Sequence, residues 1–297
     1  MSIQEKLPLV TVAIPTYNRP ELLRRALRSV ALQTYPNLEV IIADNCSDNY
    51  RFEDIISQFK DRFKSCKFIK HPQNIGPINN FFYCLDIAHG EFFMWLADDD
   101  EISGMDYLST LVNILVSRHD VVTASAKWKL MTNSFTGYLQ PSREYTSKYW
   151  FIRAFKFIWF ARDDFFYALH RTERLRNARI VHFLGINKNR VDNLVYPFLL
   201  DLVMQGKIVY SDSSDAVWVN HDYTKKSYLR FRSKYEYAIN FIIRRANIHY
   251  IYLIKVSKKN IFCFFLFFFF SFFTLFKEYF LFFGGVCLRR IKKFLKS

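Results

Sequence analysis

The chain has 297 residues, 51% of them apolar and 23% charged, which is enough to bury a full core and too apolar for a disordered polyelectrolyte. At this length one large domain, or a domain with an appendage, is expected, and the composition excludes collagen-like, coiled-coil and disulfide-scaffold classes. The net charge of +15 is unevenly spread: residues 1–150 carry 16 basic and 17 acidic side chains and residues 151–297 carry 26 and 10, so the whole excess lies in the second half.

Such asymmetry points to an acidic partner surface, nucleic acid or anionic lipid, met by the C-terminal half. The five cysteines are odd in number and form no C-x-x-C pair, which fits neither a disulfide framework nor a zinc site and indicates a reducing compartment. Met1 to Leu9 contains Glu5, Lys6 and Pro8 and lacks the apolar stretch of a signal peptide, so the soluble part is expected in the cytosol.

Val10 to Ile14 is an apolar, β-branched run and reads as a buried strand. Pro20 suits a first helical turn, and Leu22, Leu23, Ala26, Leu27 and Val30 follow at helical spacing. Leu38–Ala43 is the next strand, Glu53–Phe63 a helix and Cys66–Lys70 a strand. Then come a helix over Ile78–Ala88, a strand over Glu91–Leu96, a helix over Met105–Ser117 and a strand over Val121–Ala126. This alternation predicts an α/β fold whose sheet is mostly parallel and covered on both faces, with ligands bound beyond the carboxyl ends of the strands.

Polar clusters follow four of these strands: Pro15–Arg19, Asp44–Asp48, His71–Gly76 and Asp98–Glu101. They should converge on one sheet edge. Neither G-x-G-x-x-G nor G-x-x-x-x-G-K-[ST] occurs, which disfavours dinucleotide-binding and P-loop enzymes. Three adjacent carboxylates, Asp98, Asp99 and Asp100, repel one another at the mouth of a sheet, and an oxygen-rich site of this kind suits Mg²⁺ or Mn²⁺ completed by substrate phosphates. A solvated acidic turn ahead of the helix near Met105 is the competing reading.

The ordered set V-A-I-P-T-Y-N-R (12–19), D-N-C-S-D (44–48), N-I-G (74–76) and D-D-D (98–100) resembles the family 2 glycosyltransferases over residues 9 to about 125. The resemblance implies a GT-A nucleotide-binding sandwich over residues 1–222, with a donor half to about 125 and an acceptor half after it. It implies that Pro15, Tyr17 and Arg19 line the nucleotide pocket, that Asp44 binds a uracil-type base, and that Asn74 and Gly76 complete the cleft. In the D-x-D sense, Asp98 would face the ribose and Asp100 the cation, with Asp99 turned elsewhere or toward the sugar; the triplet leaves open which carboxylate touches what. Asp44 as a strand-end Asx turn, and Gly76 as no more than part of a connecting turn, remain open.

In the acceptor half the resemblance calls for a carboxylate base near the start of a helix, and Asp192 is the candidate, with Asp163, Asp164 and Asp201 as competitors and a helix N-cap as the alternative role. Lys207–Tyr210 and Ala216–Val219 read as strands. His221, after the second, sits where related enzymes place a histidine near the donor phosphates and metal; a surface or core histidine is the other reading.

Residues 223–297 form a basic, aromatic tail. Basic residues interleaved with Tyr and Phe could contact single-stranded nucleic acid, but Ile261–Phe276 has only Ser271 and Thr274 as polar interruptions, and 13 of the 33 phenylalanines fall in residues 261–283. A helix of this run would span about 24 Å, short of the ~30 Å hydrocarbon core. With basic residues on both flanks, an interfacial or re-entrant attachment of segment 261–288 to the cytoplasmic face of the plasma membrane is expected, rather than nucleic-acid binding; one crossing and a buried oligomer interface are the alternatives.

The sequence therefore leads to an inverting, metal-dependent transferase taking a nucleotide-sugar, with UDP as the nucleotide, and a saccharide or lipid-linked acceptor. Two rivals are a sugar-nucleotide pyrophosphorylase-like enzyme and a non-catalytic membrane-bound nucleotide- or sugar-binding protein.

Overall fold

The computed structural model describes residues 7–48, 52–132, 135–138, 144–160, 164–178 and 192–219, together with Tyr252, Leu253 and six positions between 265 and 272. In chain order the elements are β1 (Val10–Thr16), α1 (Pro20–Ala31), β2 (Leu38–Asp44), α2 (Phe52–Ser57), β3 (Ser65–Lys70), α3 (Pro77–Asp86), β4 (Phe92–Trp95) and β5 (Asp100–Ile102). There follow α4 (Tyr107–Ser117), β6 (Val121–Thr132), β7 (Phe135–Tyr138), α5 (Trp150–Phe160), β8 (Leu169–Arg171), α6 (Thr172–Ala178), α7 (Asp192–Gln205) and β9 (Lys207–Val219). Two 3₁₀ turns, Lys60–Arg62 and Asp164–Tyr167, join the set.

One mixed sheet organises the described residues, with strand order β3-β2-β1-β4-β8-β6-β9-β5 and β7 hanging on β6. The donor half, β3-β2-β1-β4, is parallel throughout. Strand β8 pairs antiparallel with both β4 and β6, which restores the original direction in β6, and β9 follows β6 in parallel. Six of the nine described strands therefore point one way, and β5, β7 and β8 oppose them. The expected mostly parallel sheet holds in this mixed form.

Period-two alternation divides the core between the two faces. Val10, Val12, Ile14, Val40, Ile42, Phe92, Met94 and Leu96 pack with α1, α2 and α4 on one side. Ala13, Ile41, Ala43, Phe93 and Trp95 pack with α3, α5, α6 and α7 on the other. Each such large side chain removed from water contributes roughly 1.5–3 kcal/mol. The second face is unusually aromatic: Trp95 stacks on Phe166 at 4.8 Å and 6°, and Phe198 of α7 meets the Trp95 ring at 5.9 Å. These contacts clamp the last residue of β4 to the acceptor half.

Arginines close several helices by donating to otherwise unpaired C-terminal carbonyls. Arg153 is buried and donates to Val203 O (2.7 Å) and Met204 O (2.9 Å) of α7, and to Ser147 O and Lys148 O. Arg176 donates to Leu85 O and Ala88 O after α3, and Arg62 to Ala31 O after α1.

Several expected boundaries move. The helix over Glu53–Phe63 ends at Ser57, because Phe59, Arg62 and Phe63 bond three residues back rather than four and tighten into a 3₁₀ turn. Lys207–Tyr210 and Ala216–Val219 belong to one strand, β9; Ser211 and Asp215 pair with Ala126 and Lys127, and the three residues between Ser211 and Asp215 are absorbed where the register with β6 jumps. Strands β5, β7 and β8 and helices α5 and α6 have no counterpart in the sequence reading. Among the described residues no helix is long and apolar enough to cross a membrane. Most of the tail, including the ends of segment 261–288, lies outside the described residues, as do His221 and Asp163.

Candidate active site

All four polar clusters sit at the carboxyl edge of the parallel strands and are wired to one another. Thr16, the last residue of β1, donates from Oγ1 to Asp98 Oδ2 at 2.8 Å, and Arg19 Nη1 lies 3.0 Å from Asp98 Oδ1 and 3.2 Å from Asp99 Oδ2. Asn18 adopts a left-handed φ of 55°, which turns its backbone N–H onto Ser47 Oγ (2.7 Å) while its Oδ1 accepts from the Asp48 N–H (2.8 Å). Asn45 donates to Asn74 Oδ1 at 3.0 Å and accepts from the Ile75 N–H at 2.9 Å. The β1 loop is thereby tied to the β2 and β4 loops, and the β2 loop to the β3 loop.

Each expected site residue has a definite place in this network. Pro15 is buried and pairs with Ala43, whereas Tyr17, just past the end of β1, is 42% exposed. Asp44, fully buried at the end of β2, accepts from the Ser47 N–H at 3.0 Å and from the Ser47 hydroxyl, so its carboxylate orders its own loop. Asn74 is exposed and accepts from the Gly76 N–H at 2.9 Å. Gly76 has φ +83° and ψ 155°, a conformation open essentially to glycine alone, and Pro77 then starts α3.

The acidic triplet divides into two environments. Asp98 is buried but satisfied: burial pushes its carboxyl up, against the pull of Arg19 and Thr16. Asp100 is 1% exposed and, among the described residues, neither of its carboxylate oxygens has a hydrogen-bond partner. Burial, with the Asp99 and Asp98 charges added, drives its carboxyl well above the usual range. A carboxylate held without a partner in so dry a place is costly unless a cation meets it.

That orphaned pair of oxygens is the test of whether these residues fit a divalent cation, and they do. Among the described residues no three His, Cys, Asp or Glu side chains gather as a complete cage. One or two carboxylates with the remaining ligands drawn from phosphates is the arrangement that Mg²⁺ commonly takes.

Strand β5 begins at Asp100 and pairs its backbone with Trp218 of β9, while Glu101 meets Arg25 and the Ile102 N–H bonds Ser29 Oγ at 3.1 Å, both partners on α1. Asp192 is the first residue of α7. The far end of that helix is fixed at the base of the sheet, where an added Cβ on Gly206 would meet Val122 and the Asp120 carbonyl. Phe198 touches Trp95, and Asp192 lies about 9 Å farther along the helix axis, at the end where β4 stops. The described residues thus bring Asp192 to the same edge of the sheet as the triplet. Asp201 lies on the same helix and Asp164 opens the second 3₁₀ turn.

Sequence reasoning assigned no role to Thr16, Asn45 or Ser47. All three stand inside the quoted motifs, and the signal available was their position between residues already assigned.

Comparison with known proteins agrees with this geometry. A curated glucosyltransferase of Campylobacter jejuni, named GalNAc(5)-diNAcBac-PP-undecaprenol beta-1,3-glucosyltransferase, is 36% identical over 107 residues, which is 36% of this chain and 34% of that protein. An abequosyltransferase of Salmonella typhimurium is 30% identical over 122 residues, 40% of this chain and 36% of the other. The matches thus span about a third of those two relatives' length. Among solved structures, Staphylococcus aureus TarS 1-349 in complex with UDP-GlcNAc superposes with a TM-score of 0.60 at 17% identity, over 82% of this chain and 66% of that one. A Pyrobaculum calidifontis mannosyltransferase in complex with GDP-Man and Mn²⁺ gives 0.53 at 18% identity, over 86% and 65%. These likenesses establish a GT-A-like α/β fold. The description Glycosyl transferase family 2 matches residues 11–185, more than half of the chain, and the protein belongs to that family.

Proposed function

We propose that this protein is an inverting glycosyltransferase that moves a sugar from a UDP-sugar to a lipid-linked or growing saccharide on the cytoplasmic face of a membrane. The observation that carries the reading is Asp100, buried with both oxygens orphaned beside the Arg19–Asp98–Thr16 cluster, where a diphosphate and its counter-ion would complete the site. The named substrates of the relatives support the donor and acceptor classes: a UDP-sugar in one solved structure and an undecaprenyl diphosphate-linked glycan in one relative's name.

In this reading the exposed Tyr17 offers a ring to the nucleotide, the Asp44 and Asn74 loops frame the base, and Arg19 steadies Asp98 and Asp99 for ribose and sugar hydroxyls. Asp98 and Asp100, with His221 as the third candidate, would hold Mg²⁺ or Mn²⁺, which offsets the negative charge gathering on the departing diphosphate. Asp192 takes the proton from the acceptor hydroxyl as its oxygen bonds to the anomeric carbon. The bond to the donor phosphate breaks on the opposite side, giving inversion without a covalent enzyme intermediate. The basic, Phe-rich tail keeps the enzyme beside a lipid-borne acceptor.

Two measurements test the assignment. Calorimetric titration of UDP should show at least about tenfold tighter binding with Mn²⁺ for the wild type, about 1.4 kcal/mol, and no such gain for Asp100→Asn. Asp192→Asn should bind UDP normally and lose release of UDP from a UDP-sugar with membranes as acceptor source. UDP affinity indifferent to Mn²⁺ in the wild type would remove the cation from the reading. Pyrophosphate release from a nucleoside triphosphate and a sugar phosphate would replace transfer with nucleotide-sugar synthesis, and tight UDP binding without turnover would leave only a binding protein.

A further inference from the structure

Helix α5 is apolar on two adjoining faces, one buried and one exposed. Ala154, Phe157 and Ile158 are fully buried, with the Phe157 ring against Tyr145, Phe165 and Tyr252. Next to this face Phe151, Phe155 and Trp159, spaced i, i+4 and i+8 in one stripe, are 41%, 44% and 36% exposed. A surface helix of a water-soluble domain ordinarily turns polar residues outward, whereas α5 turns out three large aromatic rings with Lys156 beside them.

The stripe continues onto a second segment more than a hundred residues away in sequence. Phe267 is buried and its ring lies 6.1 Å from that of Phe155. Its helical neighbours Phe265, Phe268, Phe269 and Phe272 are each at least half exposed. Two segments thus present exposed aromatic rings beside one contact.

The charge on the helix and the turn ahead of it is positive, with Glu144 before and Asp163 and Asp164 after as the bounding acids. From Tyr145 to Arg162 the sequence contains no Asp or Glu, while Lys148 and Lys156 are exposed and Lys148 Nζ lies 4.9 Å over the Tyr149 ring. Rings backed by lysines match the headgroup region of an anionic bilayer, where aromatic side chains sit at the interface and basic ones meet phosphate.

We propose that the outer stripe of α5, Phe151, Phe155 and Trp159, is a membrane-docking surface that seats the acceptor half on an anionic bilayer jointly with the Phe-rich segment. The tail by itself is the attachment in the functional reading above. The present inference adds a contact from the folded domain and rests on the geometry of α5, so it stands or falls independently of sugar transfer.

The test uses the full-length chain and phosphatidylcholine vesicles with and without phosphatidylglycerol. Phe151→Ser/Phe155→Ser/Trp159→Ser should still unfold cooperatively and keep the wild-type UDP affinity, since none of the three lies among the buried core residues, with a lowered melting temperature from the lost Phe155–Phe267 contact. It should bind anionic vesicles at least about tenfold more weakly. Brominated lipids should quench wild-type tryptophan fluorescence, and Trp159→Phe should lose part of that quenching. Unchanged vesicle binding by the triple variant, or quenching indifferent to Trp159→Phe, overturns the proposal. A triple variant that dissociates a lipid-free oligomer while binding vesicles as before would make the face a contact between copies and overturn it equally.

Discussion

Thr16 Oγ1 donates to Asp98 Oδ2 across 2.8 Å, joining the carboxyl ends of β1 and β4 through two side chains that are 82 residues apart in sequence. The bond fixes one lobe of the Asp98 carboxylate and leaves Arg19 to hold the other.

Thr16→Val keeps the shape of the side chain and strands Asp98 Oδ2 without that donor. Loss of a hydrogen bond to a buried carboxylate should cost about 1–3 kcal/mol, and a displaced Asp98 should weaken UDP binding as well. Urea denaturation and UDP titration on the same variant check both; wild-type values in each would mean that Arg19 alone orders the carboxylate.

Gly76→Ala meets no atom within 4 Å of the new Cβ, so its cost is confined to the backbone at φ +83°. The expected destabilisation is about 1–3 kcal/mol, or a relaxed loop that no longer presents Asn74 beside Asn45. A fall in denaturation midpoint or a weaker donor affinity fits this account, while neither change would show that the turn readily accepts an alternative.

Burial pushes His170 down to about 4, with Thr123 Oγ1 at 2.9 Å from one ring nitrogen and the Phe166 carbonyl accepting from the other. The unfolded chain takes up this proton near the ordinary histidine value of 6.5, so between pH 6.5 and 4 it binds more protons than the folded one. The stability contributed is whole above 6.5 and drains as the pH falls toward 4, by about 3 kcal/mol in total. Denaturation curves across that range should slope for the wild type and flatten for His170→Gln by this amount.

Arg153→Met keeps the length of the side chain and removes the donors that close α7. Burial lowers the Arg153 pKa from its ordinary value, and its partners are carbonyls at the negative end of a helix dipole. Leaving Val203 O and Met204 O unpaired in the interior should cost at least about 2 kcal/mol. Because α7 carries Asp192, UDP release should fall more than UDP affinity, a split that kinetics with saturating donor would detect.

The donor half was readable because three of its four strands, β1, β2 and β4, are short, largely apolar runs closed by a polar cluster. Val10–Ile14, Leu38–Ala43 and Glu91–Leu96 carry their own boundaries, and the structure keeps them within a few residues. The acceptor half was not, for physical reasons. Strand β5 is only Asp100–Ile102, and its acidic start reads as a loop; it exists because β9 offers it an edge. Strand β8, Leu169–Arg171, likewise owes its extended form to two neighbours far away in sequence. Within the site, the aspartates announced themselves by composition, but the hydrogen bonds that distinguish satisfied Asp98 from orphaned Asp100 depend on tertiary distances that no spacing encodes.

The pairing of Asp100 with Trp218 has a consequence for how such proteins can be recombined. The strand bearing the buried carboxylate takes its ladder from residues beyond 185, where the family match ends. A chimera that grafts residues 11–185 onto a foreign C-terminal portion would transplant every recognisable motif yet deprive Asp100 of its neighbouring backbone. Exchange of acceptor preference between relatives is therefore expected to succeed only when the crossover carries β9 along with the motifs it supports.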